Sequence, residues 1–366
     1  MAQRRWSAVA AAWLAACALP EYATFDAGAV GSGGIDGSGS TGEGAAAGDA
    51  SAGAAGGAGG DTGGGTSGGT GGGARCPPLG GADVIACDGT KPVAVAVDNV
   101  NVYWVDEGDG RVMFAPKAGG AAVVVASGQG QPCGVAAVGG HVYWRTRGGV
   151  VRRKEIPSGA LEDLAADQGN ACAVDADATA AFWIAEDAGA FSVMMSVPPG
   201  TSPKKIASAM SAGDLDAQGG GVVGWTDPSA GKAYTSPKML GDEKAQIATG
   251  AVHGIAFHGP DYYISIESGG IVAGQTGNAE QGFASGLSSP TGITVWNQEV
   301  LWIEQGSDRV VRKDVGSPLA APPTVLVDGV PVCGSIAADD VHVYWATCDD
   351  GRVMRVGHAE AIIVRQ

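Results

Sequence analysis

Positive charge is scarce in this 366-residue chain: 22 Lys and Arg stand against 38 Asp and Glu, a formal net charge of −16. Its longest basic cluster is Arg152-Arg153-Lys154. A phosphate backbone would be repelled by most of such a surface, which argues against nucleic acid as a partner. Charged residues make up only 16 % of the chain and few stretches show helical periodicity, so exposed helices are not expected. Histidine is limited to 5 residues and no Cys-x-x-Cys pair occurs, which leaves little for a metal site. No Walker motif or HExxH pair is present, and no nucleophile elbow or dinucleotide fingerprint sits between a strand and a helix. The motifs therefore identify no catalytic residue, no metal site and no cofactor.

What is abundant is glycine, 63 residues, much of it near the N-terminus. The chain begins with Arg4-Arg5 and an apolar run from Trp6 to Ala16 that is too short to span a bilayer, the layout of a secretory signal. Leu14-Ala15-Ala16-Cys17 resembles the lipobox of bacterial lipoproteins. That resemblance implies cleavage after residue 16, a lipid anchor on Cys17 and, with Ala18 next, an outer-membrane destination. Residues 17–75 are expected to form a disordered tether, because Gly, Ala, Ser and Thr bury too little apolar area to offset ordering entropy. Its most Gly-rich part, the 48 residues from Ala27 to Ala74, typically spans roughly 35 to 40 Å as a coil.

From residue 76 onward an internal repeat appears. Tyr103-Trp104, Tyr143-Trp144, Phe182-Trp183, Gly224-Trp225, Tyr263-Ile264, Leu301-Trp302 and Tyr344-Trp345 recur every 38 to 43 residues. Each pair sits in the second of four short strand-like runs separated by turn residues. Units of that size with four strands are β-propeller blades, so residues 76–366 are expected to be all-β and seven-bladed. Ring closure leaves six or eight open, because "ADVIAC" at 82–87 and "AEAIIV" at 359–364 both fit the last outer-strand slot. The inner runs "HGIAF" at 253–257 and "TGITV" at 291–295, followed by the aromatic pairs, resemble YWTD- and NHL-type propeller repeats.

Six cysteines remain besides Cys17, in an export compartment that permits disulfides. The expected pairs are Cys333 with Cys348 across a hairpin, Cys76 with Cys87 at the domain entry, and Cys133 with Cys172 between neighbouring units. Counting back from each aromatic pair places Val93, Cys133, Cys172, Asp214, His253, Thr291 and Cys333 around one channel mouth. Asp214 and His253 are the ionisable pair of that ring and the candidates for holding a ligand. Trp296, in "VWNQE", is read as a turn residue and a candidate binding contact.

The acidic stretch "VYWVDEGDGRVM" at 102–113 has a near twin, "VYWATCDDGRVM", at 343–354. Asp109-Gly110-Arg111 persists as Asp350-Gly351-Arg352, whereas Asp106 becomes Thr347 and Glu107 becomes Cys348. A catalytic carboxylate set would not dissolve between copies, so the cluster reads as a hairpin turn.

These features point to a monomeric binding or scaffold module at the cell envelope, taking a protein, peptide or glycan and touching membrane only through its lipid. The alternative resembles the metal-dependent propeller lyases and lactonases, with Asp214, His253, His258 and Glu267 as candidates. The anchor is directly testable. Replacing Cys17→Ser should move the protein from the detergent phase to the aqueous phase on Triton X-114 partitioning; unchanged partitioning would remove the lipid.

Overall fold

The computed structural model of the protein describes residues 77–79, 81–199, 202–218, 220–239 and 244–358. The expected signal segment 1–16, the Cys17 anchor, the tether 17–75, Cys76 and the run 359–364 lie outside the described residues. The described secondary structure is all strand, arranged as seven four-stranded antiparallel sheets. Their inner strands are Pro92–Val97, Pro132–Val138, Val174–Ala176, Leu215–Asp216, Val252–His258, Pro290–Trp296 and Cys333–Ala338. Each touches the next around a full circle, and the seventh returns to the first, forming a seven-bladed β-propeller.

The competition for the last outer slot is settled by Asp83–Ala86, which pairs antiparallel with Arg352–Gly357 in the seventh blade. It carries the same kind of bulge that interrupts outer-strand pairing in other blades. The ring is thus closed by a strand from the opposite end of the chain.

The aromatic pairs hold the ring together because successive strand residues point to opposite faces. Tyr103 packs in one buried cluster with Trp144, Tyr143 with Trp183, and Phe182 with Trp225. Tyr263 shares a cluster with Trp302, Leu301 with Trp345, and Tyr344 with Trp104 across the closure. The first residue of each pair faces the next blade and the second faces the previous one. Gly224 is the exception, with a physical reason: a Cβ there would lie 2.5 Å from the Phe257 ring. Phe257, on the next inner strand, fills the space the missing aromatic would occupy.

One residue beyond the second member of the pair, three blades carry a polar side chain that bonds across to the next blade. Thr226 Oγ1 accepts from Asp214 N and donates to His253 O, each at 2.7 Å. Ser265 Oγ accepts from Gly254 N at 2.8 Å and donates to Thr291 O at 3.0 Å. In the second blade the residue is Arg145, wholly buried, whose guanidinium donates to the carbonyls of Ile184, Gln168 and Gly169. Burial pulls its pKa down to about 10, still charged at neutral pH.

Two residues beyond the tryptophan, a polar group ties down the following turn. Asp106 accepts from Thr90 N at 2.8 Å and from Lys91 N and Asp109 N at 3.0 Å. Asp227 does the same for Met210 N and Ala230 N. Glu107 is paired with Lys91 and Arg147, and Gly110 takes a φ of 62° to close the hairpin. The acidic cluster is therefore turn architecture, as its altered twin implies.

Arg145→Ala would take a donor from three carbonyls at the blade junction, of which Gln168 O keeps the Glu186 N–H, and leave a void, with an expected loss of about 3–5 kcal/mol in urea unfolding. A loss under about 1 kcal/mol would mean water already serves those carbonyls.

Candidate binding sites at the two channel mouths

The inner strand of every blade is a sheet edge, and its unpaired N–H groups face the central channel. The channel encloses a cavity of about 710 Å³, with the inner strands beginning at an entry mouth and ending at an exit mouth. At the entry mouth Cys133 and Cys172 are bridged across two blades, with Cα atoms 5.3 Å apart. Cys333 and Cys348 are bridged across their hairpin, with Cα atoms 5.8 Å apart. Both separations fall in the ordinary range for a disulfide. Cys87 is also disulfide-bonded, while its expected partner Cys76 lies outside the described residues.

Asp214 and His253 both line the channel cavity. Strand register, however, pairs Leu215 with Trp225 and Ile255 with Ile264, so Asp214 is level with Gly254, one step deeper than His253. The Asp214 carboxylate is committed to protein partners: Oδ1 accepts from Leu215 N at 2.9 Å and Oδ2 from Ile255 N at 3.0 Å. Two further channel carboxylates, absent from the counted ring, do equivalent work. Asp216 Oδ2 accepts from Phe257 N at 3.0 Å, and Asp175 Oδ2 from Ala217 N at 2.7 Å. Ser335 Oγ accepts from Val95 N at 2.9 Å in the same manner. Each of these side chains satisfies an edge N–H of the next blade. The signal for Asp175 and Asp216 was present as "VDAD" and "DLDA", where the first and second units carry Ala.

Burial raises all three carboxyls; Asp214 is pushed up to about 6 despite its two backbone donors, with Asp175 adding repulsion. Asp175 and Asp216 are raised by burial, and their mutual repulsion pushes Asp216 further. Among the described residues no group of three or more His, Cys, Asp or Glu is placed to hold a metal ion.

The remaining lyase candidates are dispersed. His258 closes the inner strand Val252–His258 near whose start His253 lies, about 16 Å away by strand rise, and its Nε2 meets Gln298 Nε2 at 3.2 Å. Glu267 is exposed in the turn after Asp261–Ile266, its N–H donating to Ala251 O.

Trp296, expected in a turn, is instead the last residue of the inner strand of the sixth blade, because it pairs with Glu299 across a tight two-residue turn in which Asn297 has a φ of 51°. Its Nε1 donates to Asp340 Oδ1 at 3.0 Å, and Asn297 Nδ2 donates to the same oxygen at 2.9 Å. The indole thus stands half-buried at the exit mouth, fixed to the seventh blade. It borders a second cavity of about 770 Å³ lined by the hairpins of blades seven, one and two. Val100 and Val341, at equivalent hairpin tips, are 64 % and 60 % exposed there. Both were legible as apolar residues inside turns, "DNVN" and "DDVH", but nothing in the sequence placed them side by side.

No family model and no curated protein matches this sequence. Solved structures match in fold. A streptogramin B lyase structure superposes with a TM-score of 0.59 at 10 % identity, over 75 % of this chain and 96 % of that one. Virginiamycin B lyase from Staphylococcus aureus gives 0.62 at 8 %, over 75 % and 98 %. The WD40 β-propeller domain of Doa1 gives 0.59 at 15 %, over 77 % and 98 %. At such identities the likeness is one of fold.

The channel carboxylates predict a pH dependence. A carboxyl raised on folding binds its proton more tightly in the native state, so its stabilisation is full below about pH 4 and lost as pH climbs. For Asp214 the loss runs from about 4 to about 6 and amounts to about 3 kcal/mol at most; Asp175 loses its stabilisation over the same range, and Asp216, pushed up to about 8, extends the window upward. The Tm should be lower at pH 8 than at pH 5, and Asp214→Asn with Asp216→Asn should flatten the difference. An undiminished drop in that double variant would exclude these carboxyls as its source.

Proposed function

We propose that this protein is an exported, lipid-anchored β-propeller that acts as a binding or scaffold module for a protein, peptide or glycan at the cell envelope. The observation that carries the reading is the exit-mouth pocket, where Trp296, Val100 and Val341 converge from three blades around a cavity of about 770 Å³. Exposed apolar side chains grouped at a concave site beside a fixed aromatic are the usual composition of a recognition surface. The channel supports the same reading from the other side: the carboxylates of Asp175, Asp214 and Asp216 are occupied in joining blades.

The lyase or lactonase alternative draws on likeness of fold, which carries no activity by itself. Of its candidate residues, Asp214 and His253 line the channel at the entry mouth, Glu267 sits in the exposed turn beside that mouth, and His258 stands at the far end of its strand, so the four do not form one group.

The tether and anchor belong to the proposal as the means of holding the ring off a membrane surface. On this reading, Trp296→Ala should abolish retention of the envelope component that crosslinks to the wild-type protein. Met210→Ser, also at an exposed apolar position, should leave retention intact. Equal crosslinking by wild type and a Trp296→Ala, Val341→Asp double variant would refute the exit mouth as the binding face.

A further inference from the structure

The exit-mouth pocket has a charge as well as a shape. Its lining includes the carboxylates of Asp98, Asp339 and Asp340 against the single ammonium of Lys117. Two of these carboxylates are internal to their hairpins. Asp98 accepts from Val100 N, Asn101 N and Tyr103 OH. Asp339 accepts from Val341 N, His342 N and Tyr344 OH, and pairs with Lys117 at 2.7 Å. Burial would raise Asp339, but Lys117 and these donors outweigh it and hold the carboxyl at about 2.

Asp340 is different. It is exposed, its Oδ1 serves Trp296 Nε1 and Asn297 Nδ2, and its Oδ2 takes no partner among the described residues. The hydrogen bonds from Asn297 and Trp296 keep it ionised well below neutral pH. A fixed carboxylate oxygen therefore stands at the edge of a fixed indole, with two exposed valines across the cavity. Neutral sugars would leave the valines unmatched, and an anionic ligand would meet three carboxylates. A cation on an apolar stem matches both features, since indole faces and carboxylates each attract it.

We propose that this pocket takes a cationic peptide segment, with an apolar side chain seated between Val100, Val341 and Trp296 and an adjacent Lys or Arg paired with Asp340 Oδ2. The inference rests on the exit mouth being the binding face.

The test uses the detergent-solubilised full-length protein and fluorescein-labelled hexapeptides in fluorescence polarisation. The three peptides alternate Leu with Arg, Leu with Gln, and Leu with Glu. The Leu/Arg peptide should bind at least tenfold more tightly than the other two. Asp340→Asn keeps an acceptor for Trp296 Nε1 while removing the charge, and should weaken that peptide about tenfold without affecting the Leu/Gln peptide. Trp296→Ala should weaken all three. Asp163→Asn, a remote exposed carboxylate, should change nothing, which separates the pocket from general attraction to an acidic chain. If the Leu/Gln peptide binds as well as Leu/Arg and Trp296→Ala weakens both, the cationic class is overturned and the exit mouth survives. If Leu/Arg binding ignores both Trp296→Ala and Asp340→Asn, the pocket itself is wrong.

Discussion

Two neighbouring residues on a strand cannot face the same way, and the ring depends on that constraint. A Tyr-Trp pair in the second strand of a blade sends one aromatic into each interface, so a single dipeptide joins its blade to both neighbours. Repeated around the circle, this makes every interface an aromatic pair or a close substitute, including Tyr344 against Trp104 at the closure. Burying such side chains removes large apolar areas from water, which is where most of the favourable free energy of this fold arises. The Gly224 and Phe257 exchange shows that the interface volume is conserved while its donor changes strand.

A ring so built has a cost at its centre. Seven inner strands expose edge N–H groups to the channel, where solvent is confined. Asp175, Asp214, Asp216 and Ser335 meet part of that demand by reaching from one blade to the next. The carboxylates are thereby buried next to each other, and their raised pKa values follow from placement rather than from chemistry on a substrate. Perturbed carboxyls in a cleft are a common guide to active sites; here the hydrogen-bond partners give them a structural task.

The exit mouth obeys a different logic. Its hairpins are held from within by Asp98 and Asp339, which frees the tips to carry Val100 and Val341 outward. Trp296 is the repeat-independent element, anchored through its indole N–H while its ring borders the cavity. Rigid hairpins with variable tips are how a propeller separates the residues that build it from the residues that meet a partner.

The blade count, the four-strand unit, the burial of the repeated tryptophans and the turn role of Asp106 were all legible in the sequence, because each depends on local period and on residues close along the chain. The two disulfides were legible for the same reason, Cys133–Cys172 as equivalent positions in adjacent units and Cys333–Cys348 as the two sides of one hairpin. Closure was not: Asp83–Ala86 and the 359–364 run are equally strand-like, and only pairing across the whole ring decides between them. Nor was the channel register, since the one-residue shift at Asp214 comes from how its strand pairs, and it is this pairing that assigns its carboxylate to Ile255 N. The meeting of Trp296, Asp340, Val100 and Val341 joins residues far apart in the chain, and circular packing alone brings them to one pocket.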